Sequence, residues 1–282
     1  MTISEFKKYF QETLSALYTE SESVFIYSIF IEKYLGLNSF EQRRFSDKEI
    51  PEDIEIILQN NVSELLTEKP YQQVLGETEF FGLIFKVSEH VLVPRPETEE
   101  LLEIAIQNIK KSNLAEKAFK VLDIGTGSGI IPIILKKNFP KAEIISIDIS
   151  EKAIETAKIN ADFHQTSIEF LQKDYLSLNL DSNFDIIISN PPYIGKNEEL
   201  EIEHSVKNFE PNIALFSPLE DALIFYRKIA EDAVNHLNND GFVFLEINQK
   251  LGPETLALYQ KLSFSELIKD LSGNDRFVVA KK

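Results

Sequence analysis

The chain has 282 residues, 43% of them hydrophobic and 27% charged, with no cysteine and a formal net charge of −17. That composition is globular, excludes disulfides and thiolate metal sites, and works against duplex binding, which draws most of its affinity from Lys and Arg neutralising phosphates. No run approaches the ~18 consecutive apolar residues of a membrane span, and the first twenty residues lack a signal-peptide core, so a cytoplasmic protein is expected.

Residues 1–68 read as a small helical bundle. Phe6, Tyr9, Phe10, Leu14 and Leu17 follow helical spacing. Thr19 and Glu22 form a capping-box pattern, after which Val24, Tyr27, Ile31 and Leu35 run to a stop at Gly36. Ser46 and Glu49 repeat the pattern before Ile50, Ile54, Ile57, Leu58, Val62 and Leu65. Residues 69–97 form a connector. "TEFFGLIFKVS" predicts a β-hairpin turning at Gly82, and "VLVPRPETEE" is stiffened by Pro94 and Pro96 around Arg95.

Residues 98–282 alternate apolar strands with helices. Strands are expected at Phe119–Ile124, Glu143–Ile147, Ile168–Leu171, Phe184–Ser189, Gly241–Ile247, Phe264–Ile268 and Arg276–Ala280. Helices are expected from Ser128, from Ser150 and over Asp221–Leu237. The fold class is α/β, a doubly wound and mostly parallel sheet, whose ligands belong beyond the C-terminal strand ends.

Two features mark that edge. "VLDIGTGSGIIPIIL" places Gly125, Gly127 and Gly129 between a strand and a helix, where bare backbone turns tightly and free N–H groups face a ligand. "SIDIS" then ends the next strand in Asp148, and one carboxylate there can accept from two vicinal ribose hydroxyls. Ser150 fits the following helix cap better than Asp148 does. Asp123 either orients the glycine turn, contacts the ligand or serves the fold alone. Tyr175, in "QKDYLSL", either lies against an adenine or sits on the rim.

The third feature is "FDIIISNPPYIG". Two adjacent prolines cannot continue a ladder, so the strand ends in a rigid corner. It offers the Asn190 side-chain oxygen and the Pro191 carbonyl as acceptors, with Tyr193 as a flat wall. Two acceptors and an aromatic face match a planar –NH2 group. Such a nitrogen is a poor nucleophile because its lone pair is delocalised. Accepting both of its N–H bonds returns electron density to it, and a sulfonium methyl is the electrophile that suits this arrangement.

"LDIGTGSG", "IDIS" and "SNPPYI" resemble S-adenosylmethionine-dependent methyltransferases acting on amide or exocyclic amino nitrogens. "PYQQVLGETEFFGLIFKVSEHVLVPRPETEEL" and "FEPNIALF…FYRKIA" carry the resemblance, over about residues 69–250, to the HemK-type glutamine N5-methyltransferases of peptide chain release factors. The resemblance implies S-adenosylmethionine binding by Gly125, Thr126, Gly127, Ser128, Gly129, Asp148 and Tyr175. It implies that Asn190, Pro191, Pro192 and Tyr193 hold the glutamine of a Gly-Gly-Gln loop, that Asn190 also faces the methyl group, and that Asn190 and Tyr193 are catalytic. The N-terminal helices, a separate bundle joined by a stiff connector, are expected to recognise the protein substrate rather than to assist the transfer.

The sequence departs from that family in lacking a glycine-rich segment between Phe216 and Phe225, and in Asn248 where a glycine is usual. Arg95 either touches the methionine carboxylate or pins the connector, and the second reading is favoured. Glu97 shares that connector, and Glu210 is open between the same kinds of role. The four histidines have no ligand spacing, so no metal is expected. A monomer acting on protein, without direct nucleic-acid or membrane contact, is expected. The alternative is an N6-adenine DNA or RNA methyltransferase using the same corner, which needs base flipping and a basic face. A dehydrogenase would use the glycine turn but not the corner, and a non-catalytic adaptor would use neither.

Overall fold

Side-chain caps start the first three helices. α1 (Ile3–Leu14), α2 (Glu20–Leu35) and α3 (Ser39–Arg44) each open with a reciprocal capping box: Thr2 with Glu5, Thr19 with Glu22, and Asn38 with Glu41. Each box satisfies N–H groups that a first helical turn leaves unpaired. The Ser46–Glu49 pattern starts no helix, and α4 (Glu52–Leu65) begins after Pro51 instead. A helix capped at Ser46 would carry Pro51 in its second turn, where the ring clashes with a preceding carbonyl. α5 (Tyr71–Leu75) follows.

The structure, a computed structural model, describes residues 1–195, 198, 204–218 and 221–282. It divides into two units. In the first, α1, α2 and α4 bury Phe6, Phe10, Tyr27, Phe30, Leu58 and Val62. The rings of Phe6 and Tyr27 each lie about 6 Å from that of Phe10 in edge-on contact. Leu17, Val24 and Ile57, counted in the apolar stripes, are exposed. Leu17 lies beyond the end of α1, and the other two sit at the margins of their buried faces.

The second unit opens with the hairpin of β1 (Glu77–Phe80) and β2 (Leu83–Lys86). Next comes α6 (Pro96–Lys111), which the sequence reading passes over in favour of a stiff connector. Pro96 occupies its first turn, where a missing N–H costs nothing. The chain continues through β3 (Lys120–Ile124), α7 (Ile130–Asn138), β4 (Glu143–Asp148), α8 (Glu151–Phe163), β5 (Glu169–Gln172) and β6 (Phe184–Ser189). α9 (His204–Phe209) clusters with the first unit, where the Gln73 amide donates to the Phe209 carbonyl at 2.8 Å. α10 (Asn212–Leu215), α11 (Ile224–His236), β7 (Leu237–Glu246), α12 (Gly252–Ala257), β8 (Phe264–Lys269) and β9 (Asp275–Lys281) complete the chain.

The sheet order is β5-β4-β3-β6-β7-β9-β8. The first five strands run parallel, and β9 is inserted antiparallel between β7 and β8. Alternate strand residues feed two cores. Val121, Ile186 and Ile188 pack with α6, α7 and the hairpin residues Phe80 and Phe85. Leu122, Ile124 and Ile187 pack with Tyr226, Ile229 and Ala233 of α11. Burial on both faces explains why these strands read as unbroken apolar runs.

Gly241 shows how tightly β7 meets its neighbour. A Cβ there would sit 2.7 Å from the Asp185 carbonyl oxygen and 2.9 Å from that of Asn238, both backbone atoms. Gly241→Ala is expected to destabilise the protein by about 1–3 kcal/mol, the usual cost of forced overpacking. An unchanged urea midpoint would show that the strand absorbs the methyl.

Candidate active site

β3, β4 and β6 end side by side, with Ile124 paired to Ile147 on one flank and to Ser189 on the other. Beyond these ends lies a cleft of about 330 Å³. Its walls include Gly125, Thr126, Gly127 and Ser128 after β3, Asp148 at the tip of β4, Tyr175, and Asn190, Pro191 and Pro192 after β6. Apolar residues such as Ile149, Leu176, Ile213 and Phe216 line much of the remainder, alongside polar ones that include Arg95, Thr98 and Lys173. Nine of the twelve residues singled out in the loop, the strand tips and the corner line this cleft, while Asp123, Gly129 and Tyr193 do not.

The glycine loop is held by backbone geometry. Gly125, Gly127 and Gly129 all have positive φ. The N–H groups of Gly125 and Thr126 both donate to the Ile147 carbonyl, at 2.9 and 3.1 Å, which ties the loop to β4. Gly129 serves packing: a Cβ there would lie 3.0 Å from that of Ala157 on α8. Gly125 lies beside the corner, where a Cβ would meet the Asn190 carbonyl oxygen at an ordinary contact distance of 3.6 Å, so its positive φ and not a lack of space calls for glycine.

Asp148 accepts the Gly127 N–H on Oδ2 and the Ser150 N–H on Oδ1, each at 2.9 Å. A carboxylate has about four acceptor positions, so lone pairs remain for a ligand. Burial pushes its pKa up, and these backbone donors oppose that. Ser150 caps α8 through the Ala153 N–H, so Asp148 is not spent as a cap. Asp123 is fully buried behind the loop. Its Oδ2 accepts from the Ser146 hydroxyl at 2.5 Å, and Ser146 lies 2.6 Å from the Thr126 hydroxyl. Its Oδ1 has no hydrogen-bond partner among the described residues. Burial, opposed by Ser146, pushes the Asp123 carboxyl up to about 7.

Tyr175 borders the cleft, but its side chain is buried with the core around α11, where the hydroxyl donates to Asp232 Oδ2 at 2.6 Å. Tyr193 packs with the core around α11, and its hydroxyl reaches toward Glu246 Oε1 at 3.5 Å. It therefore stands behind the corner rather than forming a wall of the cleft.

Asn190 is held through its side chain from behind the corner. Its Nδ2 donates to Thr98 Oγ1 at 3.1 Å, and the Thr98 hydroxyl donates to Glu246 Oε2 at 2.7 Å. Both partners are buried and both escaped the sequence reading. Thr98 was hidden in a helix that the reading missed. Glu246 carried a usable signal, an acid closing the apolar strand "FVFLE". Past the corner, Asn248 donates to the Tyr193 carbonyl at 3.1 Å and to Glu198 Oε1 at 2.9 Å, so this departure from the resembled family supports the turn. The Ile194 N–H donates to the Leu215 carbonyl at 3.1 Å, and the Ile194 carbonyl accepts from the Ser217 N–H at 3.0 Å. Arg95 donates to Glu210 Oε1 at 2.5 Å and the Val93 N–H to Oε2 at 3.0 Å, which pins the connector. Within the segment that lacks the glycine-rich pattern, Leu219 and Glu220 lie outside the described residues, and Ser217 bonds the Asp221 carbonyl. Among the described residues, no group of acids and histidines could hold a metal ion, and no helix is long and apolar enough to cross a membrane.

A family profile described as methyltransferase small domain matches residues 103–208. The chain is 44% identical to the release factor glutamine methyltransferase of Flavobacterium psychrophilum, over 99% of this chain and 98% of that one. Among solved structures, a methyltransferase from Pyrococcus furiosus superposes with a TM-score of 0.51 at 19% identity, covering 79% of this chain and 98% of that one. The T. thermophilus 16S rRNA N2 G1207 methyltransferase, solved with AdoMet and guanosine, gives 0.50 at 18% identity, covering 73% and 49%. At these identities the likeness is one of fold.

Asp123 yields a pH test. Its folded pKa is raised, so its contribution to stability is full below its unfolded value near 4 and is lost as pH rises through about 7. Asn at this position has no such loss. Asp123→Asn is therefore expected to gain on the wild type between pH 5 and 8, on the order of a few kcal/mol. Urea midpoints that differ by the same amount at every pH would contradict this.

Proposed function

The chain belongs to the family of release factor glutamine methyltransferases, and on that premise we propose that it methylates the side-chain amide nitrogen (N5) of the glutamine in the Gly-Gly-Gln loop of a peptide chain release factor. It is a methyltransferase that uses S-adenosylmethionine. When bound, that cofactor supplies an electrophilic methyl group on a positively charged sulfur.

The residues of the cleft fit it. The lone pairs left open on Asp148 suit ribose hydroxyls, the backbone of Gly125, Thr126, Gly127 and Ser128 allows close approach, and Ile149 and Leu176, beside Tyr175, offer apolar surface to a purine.

The observation that carries the reading is the setting of Asn190. Its Nδ2 is committed to Thr98, and among the described residues its Oδ1 takes no hydrogen bond. The free acceptor and the Pro191 carbonyl take the two N–H groups of the substrate amide, which holds the nitrogen lone pair toward the methyl group. With the cofactor held in the cleft, the nitrogen so aligned would accept its methyl group, and the electron pair of the methyl–sulfur bond would remain with sulfur. One amide proton is then lost to solvent. Asn190 acts through position and dipole rather than as a base. Tyr193, from behind, stiffens the corner.

The helices of residues 1–68 recognise the release factor, leaving the chemistry to residues 98–282, with 69–97 as the connector. A net charge of −17 suits a protein partner better than a nucleic acid. The enzyme acts in the cytoplasm as a monomer.

Asn190→Ala is expected to lower the single-turnover rate on a release factor by at least about a hundredfold, since an unpaired N–H in a dry site costs about 1–3 kcal/mol and misalignment adds to it. Its thermal midpoint should hardly move. Transfer at the wild-type rate would reduce the corner to a turn. Asp148→Ala should weaken S-adenosylhomocysteine binding by about 1–3 kcal/mol, as for a lost charge-assisted hydrogen bond. Calorimetry that finds unchanged affinity would remove Asp148 from the site.

A further inference from the structure

We infer that Thr98 and Glu246 are positioning residues whose hydrogen-bond chain fixes which way round the Asn190 amide sits, and so which of its two ends meets the substrate. The inference rests on the proposed methylation of a glutamine amide. It comes from donor counting. A hydroxyl has one proton to give. Thr98 gives it to Glu246 Oε2 at 2.7 Å, because a carboxylate only accepts. Thr98 can then only accept from Asn190, and Nδ2 is the end that donates, at 3.1 Å. The opposite face of the amide must be its oxygen. Had Thr98 been free to donate, the amide could turn over and present –NH2 to a substrate –NH2. Two donors would then meet, and the substrate nitrogen would lose its orienting acceptor.

The chain works only while Glu246 is ionised. A neutral carboxyl can itself donate to Thr98, which frees the hydroxyl proton for Asn190 and reverses the order. The surroundings hold Glu246 near that change. It is buried at the end of β7, and burial pushes its pKa up to about 7, against the Thr98 bond and the Arg276 charge. Arg276 on β9 is itself paired with Asp270 at 3.1 Å. Glu97 on α6 raises the Glu246 pKa further, and Tyr193 approaches its other oxygen. Tyr226 of α11 donates to the Glu246 main-chain carbonyl, which anchors its backbone.

Thr98→Val removes the hydroxyl at nearly constant volume, and Thr98→Ser keeps it. On the full-length chain, Thr98→Val should lower kcat about tenfold, the worth of one net hydrogen bond and its geometry, with S-adenosylhomocysteine affinity unchanged. Thr98→Ser should return kcat to within about threefold of wild type. The ratio of wild-type to Glu246→Gln kcat should rise from near one at pH 5.5 to about ten at pH 8.5, because only the wild type gains the charge. Amide NMR gives a readout apart from turnover: one Asn190 side-chain N–H should be protected from exchange in the wild type and lose that protection in Thr98→Val. Equal kcat for Thr98→Val and wild type, a Thr98→Ser variant as slow as the valine, or a pH-independent ratio would overturn the relay. A protected Asn190 N–H in an enzyme that never methylates glutamine would support the relay and fault the functional reading instead.

Discussion

Methyl transfer to an amide depends on alignment, and the alignment here is set by the pairing of β3 with β6. Ile124 lies opposite Ser189 in a parallel ladder, so the next residue of each strand leaves the sheet at the same level. One of these is Gly125 and the other is Asn190. A slip of one residue would turn the buried side chains of either strand to the wrong core, and both cores are filled. The register is thus locked by packing on both faces. The glycine that opens the cofactor loop and the asparagine that addresses the acceptor therefore meet without further adjustment. The positive φ of Gly125 turns the loop away beside the corner, within contact distance of the Asn190 carbonyl.

Register delivers Asn190 to the right place but leaves its amide free to face either way. The remaining choice falls to a second layer, in which Thr98 from α6 and Glu246 from β7 reach the corner from two other elements. A similar arrangement supports the loop. Asp123 holds Ser146, which lies beside Thr126, so another buried carboxylate orders hydroxyls behind a functional segment. In both cases an acid withdrawn from solvent is held by a hydroxyl, and its pKa is raised. The cost in stability is concentrated where geometry matters to the chemistry, as expected for functional sites.

Much of this was legible in the sequence. Apolar runs broken by turn residues located the parallel strands, and Phe184–Ser189 is bounded as read. The glycine loop, the acid at the tip of β4 and the proline corner each carry a local signature, because the backbone conformation itself demands those residues. What escaped was non-local. Thr98 and Asn190 are 92 positions apart, and Thr98 and Glu246 are 148 apart. No spacing rule links them. α6 was passed over because two prolines near its start outweighed the helical spacing of Leu101, Leu102, Ala105, Ile106 and Ile109 that followed. Gly129 shares the positive φ of its two neighbouring glycines, and no sequence pattern shows that α8 also lies against it. Tyr193 looked like a wall of the site, and only the packing around β7 places it behind.

The most direct test is chemical. The intact protein would be incubated with methyl-labelled S-adenosylmethionine and a full-length release factor, and the labelled residue located by mass spectrometry. The account predicts a single label on the side-chain amide of the glutamine in the Gly-Gly-Gln loop, absent with Asn190→Ala. Label on another residue type, or on nucleic acid added in competition with the protein substrate, would contradict it.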